Sequence, residues 1–149
     1  MSDDDLTLAQ LQKHAYGGFD RLVGLHLLEA AADRVVAELV VRSELLQPFG
    51  LLHGGVLCTL VETVGSVGGA VWFGERGHVV GVSNSTDFLR AVRVGARLNV
   101  VGTPVHRDGT QQLWEINVME RDRLVARGLL RMANIGDIAN IGASSGGGP

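Results

Sequence analysis

Glu62 is the only formally charged residue between Leu51 and Phe73, a stretch that reads LLHGGVLCTLVETVGSVGGAVWF. A carboxylate taken out of water without a partner costs several kcal/mol or protonates instead. An acid kept in such surroundings is a candidate nucleophile or general base. His53-Gly54-Gly55 opens the same stretch. A helix beginning there has unpaired backbone N–H groups in its first turn, and they carry the positive end of the helix dipole. Glycine at that point lets a ligand approach the backbone. Together these features describe an oxyanion hole for acyl transfer. Two plainer readings stand beside it: Gly54 and Gly55 serve only tight packing, and Glu62 is a structural acid capped by a hydroxyl or amide.

Eight residues separate Gly54 from Glu62, about 12 Å along a helix. A glutamate cannot reach a carbonyl bound at its own helix start from that distance. If both groups act on one ester or thioester, they come from two chains, and the site is composite across a homodimer. Ser66 lies at i+4 from Glu62 and shares its face, where it can hold the carboxylate or a water, or simply let helices pack. Cys58, at i−4, has no basic neighbour in sequence and reads as core.

The apolar residues from His53 to Phe73 do not alternate, and the run is too long for one strand. It reads as a single helix, apolar nearly all round and therefore buried, closed by Gly74. Leu6–Ala15 has a short helical pattern ended by Gly17-Gly18. The segment 19–28 is mixed, with Gly24 a turn or strand start. Strands are expected at 33–41, 78–89, 96–105, 111–120 and 124–135. A loop broken by Pro48 and Gly50 spans 45–52. Val94-Gly95, Asp108-Gly109 and Arg121-Asp122 mark short connections, which favour antiparallel pairing. About five strands and one long helix, without βαβ alternation, make an α+β fold in which a sheet curls around the helix.

The 149 residues suit one domain over 1–135, with the Gly/Ser-rich end at 136–149 expected to be a disordered tail. Hydrophobic residues at 46% and charged residues at 19% support a real core. A net charge of −3 argues against a nucleic-acid partner. The single cysteine points to a reducing cytoplasm. No histidines pair at a metal-ligand spacing, so no metal is expected. Glu62 and the missing basic flank argue against reading 51–73 as a membrane span.

QPFGLLHGG followed by VETVGS, then GVSNSTDFLRAVRVG and QLWEINV, resembles the hotdog-fold acyl-CoA thioesterases. The likeness is to the branch containing 4-hydroxybenzoyl-CoA and 1,4-dihydroxy-2-naphthoyl-CoA thioesterases, and it covers roughly residues 20–135. It implies a curved antiparallel sheet around one long helix. It also implies chains paired to continue the sheet, with dimers often joined as tetramers. By position it implies Glu62 as nucleophile or base, Gly54 as the N–H donor to the thioester oxygen, Gln47 and His53 beside the thioester, and Ser66 assisting hydrolysis. Gly55, Gly81, Asn84, Phe88 and Arg90 are implied in substrate or coenzyme A binding, as is the Gly109-Thr110 turn. At Gly109 a serine is often found in that family, and only Arg131 supplies a basic residue near the end of the last strand. The implied reaction is hydrolysis of an acyl-CoA with an aromatic acyl group. It needs no cofactor, since coenzyme A arrives as part of the substrate. A hotdog hydratase or dehydratase using His53 and Glu62, and a non-catalytic acyl-CoA binder, are the alternatives.

Overall fold

The computed structural model describes residues 18–136. The expected helix at 6–15 and the expected tail beyond 136 lie outside the described residues.

Two helices and six strands follow one another: α1 (Gly18–Val23), β1 (His26–Ala30), β2 (Val35–Val40), α2 (Gly54–Phe73), β3 (His78–Phe88), β4 (Arg97–Arg107), β5 (Gln111–Glu120) and β6 (Arg123–Ile135). All strands pair antiparallel in one sheet of order β1-β2-β4-β5-β6-β3. Helix α2 touches all six, so the sheet wraps it. This is the α+β hotdog arrangement that the resemblance implies.

The even residues of β5 face the helix. Gln112, Trp114, Ile116 and Val118 are wholly buried, while Leu113, Glu115, Asn117 and Met119 face outward. Helix and sheet approach closely because small residues line the contact. A β-carbon at Gly65 would strike Leu130, one at Gly68 the ring of Trp114, and one at Gly69 the Met132 side chain. The buried Gln112 is fully bonded: its amide donates to the Gly69 carbonyl at 3.2 Å and to Asn134 at 2.8 Å, and its oxygen accepts from Trp114 Nε1 at 2.9 Å.

Two expectations need correction. Among the described residues the strands number six, against about five expected, because the sequence of the short β1, HLLEA, carries no clear strand pattern. It is only five residues long and a register shift between Leu27 and Glu29 breaks its alternation. Gly18 begins α1; the helix it was expected to end lies outside the described residues. Helix α2 is fully buried on its sheet side only: Thr59, Glu62, Thr63 and Ser66 stay partly exposed and Ala70 exposed, a stripe that the chain's own sheet covers incompletely. Gly24 is indeed a turn (φ +88), and Gly74 (φ +56) closes α2. The stretch Gly54–Arg76 has the length and hydropathy to cross a membrane, but half of its apolar window is buried inside this chain as the core helix.

Candidate active site

His53 is the N-cap of α2. Its backbone is extended (φ −64, ψ 132), and its Nδ1 accepts a hydrogen bond from the Gly55 N–H at 2.8 Å. An accepting Nδ1 puts the proton of the neutral ring on Nε2. The next donor inward, Val56 N–H, is bonded to the His53 carbonyl. The Gly54 N–H has no partner among the described residues, and it stands at the positive end of a 20-residue helix. Phe88 lies against the α-carbon of Gly54: a β-carbon there would come 2.5 Å from the Phe88 ring. Only glycine leaves that ring where it is.

Gly54 opens onto a cavity of about 370 Å³ lined by Gln47, Leu51, Leu57, Phe88, Arg90 and Val92 among others. Gln47 reaches it from a tight turn. Its backbone bonds Leu51 and Gly50, and its side-chain oxygen accepts from the Phe49 N–H, which leaves the side-chain NH₂ free to donate. Arg90 follows β3 and makes no ion pair with another described residue. Its backbone N–H is fixed to the Val125 carbonyl at 3.2 Å.

Glu62 belongs to a second cavity of about 340 Å³, shared with Asp20, Thr63, Ser66, Val67, Ala70 and Val79. The expectation of a buried acid is not met within one chain, where Glu62 is half-buried. It is not unpartnered either. Asn84 Nδ2 donates to Glu62 Oε2 at 3.1 Å and to the Cys58 carbonyl at 3.0 Å, while Asn84 Oδ1 accepts from Thr86 Oγ1 at 2.7 Å. Gly81 lies against Glu62 Oε1, so closely that a β-carbon there would overlap it. On the other side, Thr63 donates to Asp20 at 2.7 Å and ties α1 to the rim of the cavity.

A bulge brings Gly81 and Asn84 to one acid. They are three residues apart, and in a regular strand they would face opposite sides. The register of β3 against β6 shifts between Gly81 and Ser83, so Val82 is an extra residue. Before it the odd positions Val79 and Gly81 meet the helix. After it the even positions Asn84, Thr86 and Phe88 do. Nothing in the sequence announces this change of phase.

The structure thus sorts the expected site residues into four places. Gln47, Gly54, Phe88 and Arg90 meet at the start of α2. Glu62 and Ser66 line a separate cavity two turns further on, and Gly81 and Asn84 close on the Glu62 carboxylate there. Gly109 and Thr110 lie near the far end of α2. There Asp108 holds their turn by accepting from Thr110 N–H, Thr110 Oγ1 and Gln111 N–H, and His106 bonds its other oxygen at 2.9 Å. Those bonds, the one from His106 foremost, hold the Asp108 carboxyl well below the usual carboxylate range. Asn134 links this turn to Gln112 and so to Gly69 of the helix. The turn and Arg90 therefore lie at opposite ends of a helix roughly 27 Å long from Gly54 to Trp72. His53 and Gly55 face a third, apolar groove with Phe19, Leu22, Leu45 and Val56. Residues that sequence reasoning did not single out are Thr86 and the carbonyl of Cys58, which orient the Asn84 amide. The SNST run was noticed only through the family likeness.

The chain matches the model of the thioesterase superfamily over residues 49–126, more than half its length. It is 43% identical over 123 residues to a putative esterase of Mycobacterium tuberculosis, covering 78% of this chain and 86% of that one. It is 32% identical over 129 residues to the 1,4-dihydroxy-2-naphthoyl-CoA hydrolase of Escherichia coli, covering 86% and 94%. Among solved structures, AziG of S. sahachiroi superposes with a TM-score of 0.79 at 47% identity, covering 80% of this chain and 98% of that one.

Proposed function

The chain belongs to the thioesterase superfamily and is a thioester hydrolase, and we propose that its substrate is an acyl-CoA with an aromatic acyl group, cleaved to the free acid and coenzyme A. One observation carries the mechanism. The free N–H of Gly54 and the carboxylate of Glu62 stand on one helix, about 12 Å apart, and open into different cavities. One thioester cannot meet both in a single chain. The site is composite: the Gly54 N–H of one protomer polarises the carbonyl, and Glu62 of its partner attacks the carbonyl carbon or takes a proton from the water that does. The C–S bond then breaks and the coenzyme A thiolate departs. A thiolate leaves readily, so no strong general acid is required. Ser66, in the Glu62 cavity, supports the attacking water. Gln47, with its free NH₂, adds a second donor near the carbonyl oxygen.

The sheet edge supports the pairing. β3 bonds to β6 on one side and to no other strand among the described residues, and it exposes Val80 and Val82. An exposed edge 11 residues long with apolar side chains is a ready surface for a second strand. Two copies joined at β3 would extend the sheet, cover the stripe from Thr59 to Ala70, and bring each Glu62 towards the other chain. Such dimers pairing further would give a tetramer. Arg90 and the Gly109-Thr110 turn, too far apart within one chain to form one cradle, would then hold the nucleotide of coenzyme A from different protomers. This reading uses no metal or redox cofactor and places the enzyme in the cytoplasm. It leaves His53 as a cap, with Nδ1 spent on Gly55.

Thiol release from benzoyl-, phenylacetyl-, naphthoyl- and medium-chain fatty acyl-CoA tests the substrate class. The aromatic thioesters should turn over fastest. Dominant activity on the fatty acyl-CoA would overturn the aromatic assignment.

A further inference from the structure

We propose that Asn84 is a positioning residue for the catalytic acid: with Thr86 and the Cys58 carbonyl it locks the Glu62 carboxylate in its reactive orientation. The inference rests on Glu62 being that acid.

The Asn84 amide has one orientation open to it. Both of its N–H groups meet acceptors, the Cys58 carbonyl at 3.0 Å and Glu62 Oε2 at 3.1 Å. Its oxygen meets the Thr86 hydroxyl at 2.7 Å. Flipping the amide would set its oxygen against a carbonyl and a carboxylate at once, three acceptors with no proton among them. The Cys58 carbonyl belongs to the same helix as Glu62, one turn earlier. Asn84 therefore references the carboxylate to its own backbone and to the strand together. Gly81 closes the other side: its α-carbon stands where any side chain would displace Oε1. The bulge at Val82 is what lets one strand supply both restraints. Glu62 is half-buried in an open cavity and has no other side-chain bonding partner among the described residues, so without Asn84 its side chain can swing towards Ser66 and Thr63. Catalysis is sensitive to such swings, since a misplacement of about 1 Å can cost roughly 100-fold.

The test uses Asn84→Asp, Asn84→Ala and the near-isosteric Thr86→Val in the full chain, with thiol release from benzoyl-CoA, or from the best aromatic thioester found, as the readout. Asn84→Asp keeps size and shape but presents a carboxylate to a carboxylate. Its kcat should fall roughly 100-fold with KM little changed. Thr86→Val, which frees the amide to rotate, should show a smaller loss of the same kind. In a Glu62→Gln background, Asn84→Asp should add no further loss, because two residues acting through one group are not additive. A wild-type kcat in folded Asn84→Asp and Asn84→Ala would overturn the inference. So would losses that multiply with Glu62→Gln, or a KM rise without a kcat fall. If Asn84→Asp does not fold, the Thr86→Val kcat decides alone. Undiminished cleavage by Glu62→Gln itself would instead remove the reading of Glu62, and is seen before any Asn84 variant is made.

Discussion

Gly81 and Glu62, on the edge strand and the central helix, touch so closely that the α-carbon of one forms a wall for the carboxylate of the other. A methyl group at 81 would occupy the place of Oε1. The strand is exposed there, so the fold can absorb the change while the carboxylate cannot. Gly81→Ala should lower kcat roughly 100-fold, the penalty for about 1 Å of displacement, with a melting temperature near that of the wild type. Steady-state kinetics beside a thermal melt check this, and a fall in stability with kcat intact would contradict it.

Glu62→Gln keeps the size of the side chain and can still bond Asn84 through its amide oxygen. It loses the carboxylate proposed as nucleophile or base. Thiol release should fall by about 100- to 10,000-fold, while circular dichroism and oligomer mass stay unchanged.

The space around two glycines predicts different outcomes for their replacement. Alanine is ordinarily the better helix former by about 1 kcal/mol. Yet Gly68→Ala would drive a methyl group into the ring of Trp114, which is wholly buried and cannot retreat. Overpacking of this kind costs about 1–3 kcal/mol, so denaturant unfolding should show a net loss of stability. Gly109→Ala meets open space, and its stability should stay within about 0.5 kcal/mol of the wild type.

The β4–β5 turn predicts a dependence on pH. The Asp108 carboxyl is held below its ordinary range by His106 and by the N–H groups of Thr110 and Gln111. A carboxylate whose folded value is depressed contributes stability above its unfolded value, about 3.9 for aspartate, and loses it as pH falls from there towards the folded value. Asp108→Ala should therefore melt below the wild type at neutral pH, and the gap should narrow as pH drops beneath about 4. A gap that widened under acid would refute the assignment of those bonds to the ionised form.

Much of this fold was legible because its period is plain. Strand β5 matches the sequence reading residue for residue, since Gln112, Trp114, Ile116 and Val118 alternate cleanly against outward neighbours. Helix α2 declares itself by an apolar run too long for a strand. What stayed hidden was hidden for physical reasons. The five residues of β1 are too few to show a period once the shift after Leu27 is included. The bulge at Val82 inserts a residue that no local propensity marks, so the convergence of Gly81 and Asn84 on Glu62 is a tertiary fact. The mistaken burial of Glu62 has a related origin: an apolar helix signals that something covers it, and the sequence does not say that the chain's own sheet covers one side only.

The composite site is the central claim, and mixing two inactive variants tests it most directly. Glu62→Gln removes the acid. Gly54→Pro removes the N–H at the first helical position, where proline suits the helix and the extended His53 backbone suits a following proline; its ring also displaces Phe88 of the same chain, which further disables only the helix start that the variant already lacks. In a dimer formed from one chain of each kind, one site would combine an intact Gly54 with an intact Glu62, and the other would have neither. Co-refolding equal amounts should restore thiol release to about one quarter of the wild-type rate, as random two-fold pairing requires. Mixed dimers that remained as inactive as their parents would show that Gly54 and Glu62 do not act across the interface.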